Sequence, residues 1–251
     1  MGADFTPVRL LQITDTHLFA ELGKSLYGVN TRESLRRVLK TASRHPKPDL
    51  VLATGDLVHD ESPEGYRALA GMLEILKTPV AAIAGNHDAL GPLRSITNPN
   101  IHVGGVHALG AWRIVLLNTL VPGEVGGHLD KTELKFLETS LIQAAEFPVL
   151  VALHHHPVSI GSAWLDRIAL DNANELFDVT DRYENVRGML WGHIHQEFES
   201  ERHGMRLIAT PSTCVQFLPG SNEFALDTRP PGMRRLYLYP DGRIETEVEW
   251  A

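Results

Sequence analysis

The chain has 251 residues, 43% hydrophobic and 22% charged, a balance ordinary for a soluble globular protein and a length that one layered α/β core can absorb. A formal net charge of −8 with no lysine or arginine block excludes the electrostatic footprint of a nucleic-acid-binding surface. No apolar run approaches the roughly 20 residues that cross a bilayer, Met1 to Val8 carries no signal-peptide pattern, and a lone cysteine, Cys214, precludes an internal disulfide, so no membrane span and a cytoplasmic setting are expected.

Val8–Thr14 is a β-prone apolar run that stops at Asp15, and Asn30-Thr31-Arg32-Glu33 then opens a helix as a capping box. Asp49–Thr54 repeats the strand signal, and Ser62-Pro63 supplies a cap and a first-turn proline for a second helix running to about Leu76. Val80–Ala84 and Trp112–Leu117 read as buried strands, and Asp130-Lys131-Thr132-Glu133 starts a helix with apolar spacing at Leu134, Leu137 and Leu141. Pro148–Leu153 and Val186–Trp191 are short apolar runs that each end in histidines, and hairpins are expected around His203-Gly204 and Asp241-Gly242. Pro230-Pro231-Gly232 marks a loop; no repeat, low-complexity tract or linker interrupts the chain, so residues 1–251 are expected to form one α/β domain with helices outside β-rich layers.

Polar clusters follow five of these strands: Asp15-Thr16-His17, Gly55-Asp56, Gly85-Asn86-His87-Asp88, His154-His155-His156 and Gly192-His193-Ile194-His195. In open α/β sheets the loops after the strands converge at that edge, so residues distant in sequence meet there. The donors are carboxylate, imidazole and amide oxygen without thiolate, which suits Mn²⁺, Fe²⁺, Zn²⁺ or Co²⁺ in a reactive site rather than a structural zinc knuckle. There are more of them than one ion takes, and paired ions about 3.5–4 Å apart clamp the attacking and leaving oxygens of displacement at phosphorus. Singly, each cluster has an ordinary reading: Asp15 and Asp56 as loop starts or caps, Gly85-Asn86 as a turn, the histidines as solvated. The ordinary reading must hold five times over, whereas one site explains all five.

The ordered pattern D-x-H, G-D, G-N-H-D, H and G-H-x-H resembles the calcineurin-like metallophosphoesterases. Leu11 to Phe19, Ala53 to Leu57, Ser162 to Asp166, Gly192 to Glu197 and Ala209 to Phe217 are similar to the bacterial class III cyclic AMP phosphodiesterases in particular, whereas Gly91 to Gly110 is less family-like. The resemblance implies a four-layer αββα sandwich and two divalent ions, Fe²⁺ or Mn²⁺. It places Asp15, His17 and His195 on the first ion, Asn86, His193 and a histidine of the triplet on the second, and Asp56 between them. It also puts His17, Asp56, Asn86, His87, His155 and His195 around the substrate, 3′,5′-cyclic AMP. If Val149–Leu153 runs straight into the histidines, strand alternation sets His155 opposite His154 and His156 without choosing between the sides; the resemblance, counting two residues back from Pro157, chooses His155.

The implied chemistry is in-line attack by a metal-bridging hydroxide, giving 5′-AMP, with His87 protonating the leaving oxygen and Asp88 orienting His87. A broader phosphodiesterase acting on glycerophosphodiesters, a phosphomonoesterase and a non-hydrolytic scaffold are the alternatives; a scaffold is disfavoured because every ligand position is filled. Trp164 and Phe217 are open to two roles, stacking on a base or filling the core. Cys214 reads as a small buried side chain, and His45, His59, His102, His107, His128 and His203 have no functional setting in sequence.

Overall fold

The computed structural model describes residues 6–251, so residues 1–5, where most of the expectation about the N-terminal segment falls, lie outside the described residues. Strand β1 (Val8–Ile13) is followed by a small hairpin, β2 (Ser25–Leu26) and β3 (Val29–Asn30), and by helix α1 (Thr31–Ala42), whose first turn is capped by the Asn30 side chain accepting from the Glu33 amide. Next come β4 (Leu50–Thr54), α2 (Pro63–Leu73) with a 3₁₀ turn at Glu74–Leu76, β5 (Val80–Ile83) and α3 (Leu90–Ser95). The Ser62 hydroxyl accepts from the Gly65 amide at 3.1 Å, and Pro63 sits where a helix needs no amide donor.

Three further strands, β6 (Ile101–Val103), β7 (Gly105–Leu109) and β8 (Trp112–Leu116), lead to α4 (Lys131–Gln143), β9 (Val149–Ala152), the short α5 (Ala163–Asp166) and α6 (Ala173–Thr180). The chain closes with β10 (Val186–Trp191), β11 (Phe198–Arg202), β12 (Met205–Ala209), β13 (Gln216–Phe217), β14 (Leu226–Asp227), β15 (Gly232–Leu238) and β16 (Ile244–Trp250). The hairpins expected around His203-Gly204 and Asp241-Gly242 are β11–β12 and β15–β16.

Two six-stranded sheets carry the fold, one ordered β16-β15-β1-β4-β5-β6 and the other β11-β12-β10-β9-β8-β7. Parallel pairing of β1 with β4 and β4 with β5, and of β9 with β10, brings the five motif-bearing strand ends to one edge. Period-2 alternation divides each strand between two cores. Leu10, Leu52, Ile83, Leu150, Leu190 and Ile208 fill the layer between the sheets, whereas Leu11, Ile13, Val51 and Ala53 face α1 and α2, and Val149, Val151, Met189 and Trp191 face α4 and α6. The layers are therefore helix, sheet, sheet, helix, the expected αββα sandwich.

Gln12 breaks the apolar alternation of β1 close to the strand ends. Its amide nitrogen donates to Thr54 Oγ1 at 2.8 Å and to the Trp191 carbonyl at 3.1 Å, and Thr210 Oγ1 donates to its oxygen. A fully satisfied polar group thus joins the two sheets directly beneath the edge where the loops meet, where an unpaired one would be costly.

Candidate active site

At that edge the backbone turns sharply. Asp15, His17, Asp56, His193 and His195 all have positive φ, between 42° and 67°, a region that costs a non-glycine residue of order 1 kcal/mol or more. The turns aim side chains at one another and draw backbone amides onto the carboxylates. The His193 amide donates to Asp15 Oδ1 and Oδ2 at 3.1 and 3.2 Å, and the His87 amide donates to Asp56 Oδ1 at 2.9 Å. The motif glycines are needed for closeness: a Cβ on Gly85 would lie 2.7 Å from His154 Cε1, and one on Gly192 2.7 Å from Asp15 Oδ2.

The histidines share one arrangement. His195 Nδ1 lies 2.7 Å from the Val215 carbonyl, His154 Nδ1 2.8 Å from the Thr54 carbonyl, and His193 Nε2 3.0 Å from the Ile168 carbonyl. A ring nitrogen facing a carbonyl carries a hydrogen, so in the neutral ring the other nitrogen presents a lone pair. Those nitrogens converge. His195 Nε2 is 3.3 Å from Asp15 Oδ1 and 3.2 Å from His17 Nε2, His154 Nε2 is 3.4 Å from Asp56 Oδ1, and His193 Nδ1 is 3.0 Å from Asn86 Oδ1. His17 Nε2 also lies 3.7 Å from Asp56 Oδ2, which places Asp56 between the His17 side and the His154 side. Buried in this way, the set is a cation site in waiting, because tight groups of donors with inward lone pairs are stable only around positive charge.

The electrostatics agree. Burial opposes the charge of Asp56, yet His154 and His17 hold its carboxyl well below the usual range. Burial alone would depress His154, but Asp56, Asp15 and the Thr54 carbonyl raise it to about 9, so that without a cation the ring carries a second proton that a bound cation would displace. His17 and His193 are pushed well below their ordinary value by burial, reinforced by neighbouring imidazoles, and so stay neutral as ligands must be.

Within the histidine triplet, His154 and His155 both lie against His193, with ring centroids 5.1 and 4.6 Å away, and they differ in how their nitrogens are engaged. His155 has both ring nitrogens engaged, Nδ1 with Thr119 Oγ1 at 2.7 Å and Nε2 with the Val125 carbonyl at 3.2 Å, whereas buried His154 Nε2 has no hydrogen-bond partner and faces Asp56. The strand ends at Ala152, so the three histidines lie in the bend beyond it and strand alternation does not order them.

Asp88 differs from expectation. Its carboxylate accepts from the amides of Leu57, Val58 and Gly85 and from Tyr66 Oη at 2.8–3.1 Å, so it locks the G-D and G-N-H-D loops together rather than orienting the His87 ring. Burial, together with the nearby Asp56 charge, pushes it up to about 6.

His87 lines a cleft of about 210 Å³ that opens onto Asn86, His193 and His195, and its side chain makes no hydrogen bond among the described residues. His59, which had no functional setting in sequence, lies in the same cleft: its Nδ1 is 3.1 Å from His17 Nδ1 and its ring stacks on His87 at 4.4 Å. The outer nitrogen of His17 is therefore tied to an imidazole where the other three rings use a carbonyl. The only available hint was the position of His59 three residues after Asp56, in the loop that the G-D motif opens.

These features define a dinuclear-type phosphoesterase site, and the chain belongs to the calcineurin-like phosphoesterase family, whose sequence model matches residues 8–197. Among curated relatives, the 3′,5′-cyclic adenosine monophosphate phosphodiesterase CpdA of Pseudomonas aeruginosa is 45% identical over 242 residues, 96% of this chain and 89% of that protein. CpdA of Escherichia coli K12 is 43% identical over 244 residues, with the same two coverages. A crystal structure of a dimetal phosphatase from Danio rerio has the same fold, with a TM-score of 0.63 at 17% identity over 97% of this chain and 98% of that one. No helix among the described residues is long and apolar enough to cross a membrane.

Proposed function

We propose that the chain is a dinuclear-metal phosphodiesterase that hydrolyses 3′,5′-cyclic AMP to 5′-AMP and so lowers intracellular cyclic AMP. The observation that carries the reading is the inward convergence of Asp15, His17 and His195 on one side of Asp56 and of Asn86, His154 and His193 on the other. Relatives named as cyclic AMP phosphodiesterases that align over 96% of the chain support the substrate.

In this reading Asp15, His17 and His195 hold one ion, Asn86, His154 and His193 the second, and Asp56 both. When bound, two such ions supply the activated water and neutralise charge developing on the phosphoryl group. The oxygen and nitrogen donor set suits Fe²⁺ or Mn²⁺ as well as Zn²⁺ or Co²⁺, and the family resemblance points to Fe²⁺ or Mn²⁺. The protein's own contribution is to hold each imidazole by its outer nitrogen, so that little reorganisation accompanies reaction. His87, free of other hydrogen bonds at the cleft wall, gives a proton to the departing ribose oxygen. His155 supports the site from behind, through Thr119 and Val125. The same reading takes residues 1–251 as one domain, supported by the apolar layer common to both sheets, and places it in the cytoplasm, in keeping with a single buried cysteine.

The test is turnover of cyclic AMP by Mn²⁺- or Fe²⁺-loaded protein beside cyclic GMP, bis-p-nitrophenyl phosphate and p-nitrophenyl phosphate, with Asn86→Ala as control. Cyclic AMP cleaved efficiently and lost in the variant is the expected result. Turnover of the artificial diester alone would discard cyclic AMP while keeping the metal site, and no activity with either ion would remove the enzyme reading.

A further inference from the structure

We propose that Tyr27, Trp164, Phe217 and Phe224 form a stacking wall for the purine base of the substrate; the proposal rests on the cyclic nucleotide reading above and assigns the base to a place within the same cleft. The four rings make a continuous path outward from the ligand cluster. Phe217 lies parallel to His195, with centroids 4.2 Å apart and planes 11° apart. Trp164 meets Phe217 edge-on at 5.0 Å, Phe224 is 5.4 Å from Trp164 and 5.6 Å from Phe217, and Tyr27 is 5.1 Å from Phe224.

The wall is not simply core. Trp164 and Phe217 sit at the partly buried margin of the helix-side core of the second sheet, while Tyr27 and Phe224 are 54% and 47% exposed. Tyr27 is at the tip of the β2–β3 hairpin and Phe224 lies in the loop between β13 and β14, so two separate loops spend exposed aromatic surface on each other and on the cleft. Ser162 fixes their setting: its hydroxyl oxygen accepts from the Gly220 amide at 3.0 Å and lies 3.4 Å from Gln196 Nε2, tying together the segments that carry Trp164, Phe224 and His195. The Phe217 amide donates to the His195 carbonyl at 3.1 Å, which holds the inner end of the wall in register with the ligands.

A diester bound at Asn86, His193 and His195 has one substituent directed along this path. A flat base one sugar ring from the phosphate covers the aromatic surface, whereas a glycerol or choline group leaves it wet. Stacking of a base on an aromatic side chain is worth about 5- to 150-fold in affinity.

The experiment compares cyclic AMP with the abasic methyl riboside 3′,5′-cyclic phosphate on the Mn²⁺-loaded full chain, and binding of 5′-AMP with ribose 5-phosphate by calorimetry. In the parent protein kcat/KM and affinity favour the nucleotide. In the Tyr27→Leu/Phe224→Leu double variant both preferences fall, by about fivefold or more for each stacking face lost, and Tyr27→Phe/Phe224→Tyr retains them. Metal content and unfolding midpoint verify that each variant is folded, which two exposed positions permit. Unchanged preferences in the folded leucine variant would overturn the wall. If the parent fails to cleave cyclic AMP yet binds 5′-AMP more tightly than ribose 5-phosphate, and loses that margin in the leucine variant, the substrate reading fails and the wall stands; equal binding of the two ligands overturns it.

Discussion

Paired substitutions of adjacent histidines, His154→Ala and His155→Ala, put the ligand assignment to its sharpest test. His154→Ala removes a nitrogen that faces Asp56 Oδ1 at 3.4 Å and the bond to the Thr54 carbonyl that orients it. Residues that merely support a ligand contribute about 10–100-fold to metal affinity, so loss of a ligand itself should weaken the second ion by about 100-fold or more, which is roughly 2.7 kcal/mol. His155→Ala removes no inward lone pair. It deletes hydrogen bonds to Thr119 and Val125 from a buried ring, each worth about 0.5–1.5 kcal/mol, so roughly 1–3 kcal/mol of stability before any cavity left beneath Gly127 is counted. Equilibrium dialysis with metal analysis should show about two ions per chain falling to about one in His154→Ala, with stoichiometry kept in His155→Ala. Urea unfolding of the His155→Ala protein should show a clear loss of midpoint. One ion in His155→Ala and two in His154→Ala would refute the assignment of lone pairs on which the site is built.

His87→Ala should lower turnover of cyclic AMP by about 10²–10⁴-fold with both ions retained, and a fall in metal content parallel to activity would make His87 a ligand instead of an acid. Gly85→Ala would press a methyl group against Asp56 and His154 and should abolish activity with a drop in stability, whereas Gly71→Ala, with nothing within 4 Å of its added carbon and a place inside α2, should stabilise by about 0.5–1 kcal/mol; thermal melts of the two variants check both signs. Burial, with the Asp15 charge beside it, pushes the Cys214 thiol up to about 12, so it stays protonated through pH 8 and should resist iodoacetamide until the protein is unfolded; rapid alkylation of the native chain would contradict that environment.

Much of the architecture was legible because apolar runs and their caps coincide. Val186–Trp191 is a strand over the range read from sequence, and Asn30, Ser62 and Asp130 each cap the helix expected of them. The part read as less family-like, Gly91 to Gly110, folds as most of α3, β6 and β7. Its strands are the outermost of the two sheets, three and five residues long, with exposed His102 and Val106, and an edge strand half open to water shows little of the alternation by which strands are recognised. Helix α6 was likewise missed, since eight residues with an apolar patch at Leu176 and Phe177 are too few to establish a period. The ligand types and strands were legible for the opposite reason: each sits in a tight motif directly after a strong strand. His59 was not, because its partner His17 is 42 residues away and only the crossing of two loops joins them.

The choice between His154 and His155 shows what a motif spacing omits. Counting back from Pro157 treats the chain after β9 as a ruler, whereas the proposed ligand role of His154 rests on its free inward nitrogen, and the carbonyl that holds its outer nitrogen belongs to Thr54 on another strand. The same dependence runs through the site. Asp15, Asp56 and His193 turn left-handed two residues after their strands end, the His193 amide turned there reaches Asp15, and the His87 amide in the loop after β5 reaches Asp56. Ending the strand and building the site are therefore a single structural event: strain that no isolated segment would accept is offset by hydrogen bonds made only when both sheets have brought their edges together. The residues of each motif can be read locally, but the roles they take are properties of the assembled edge.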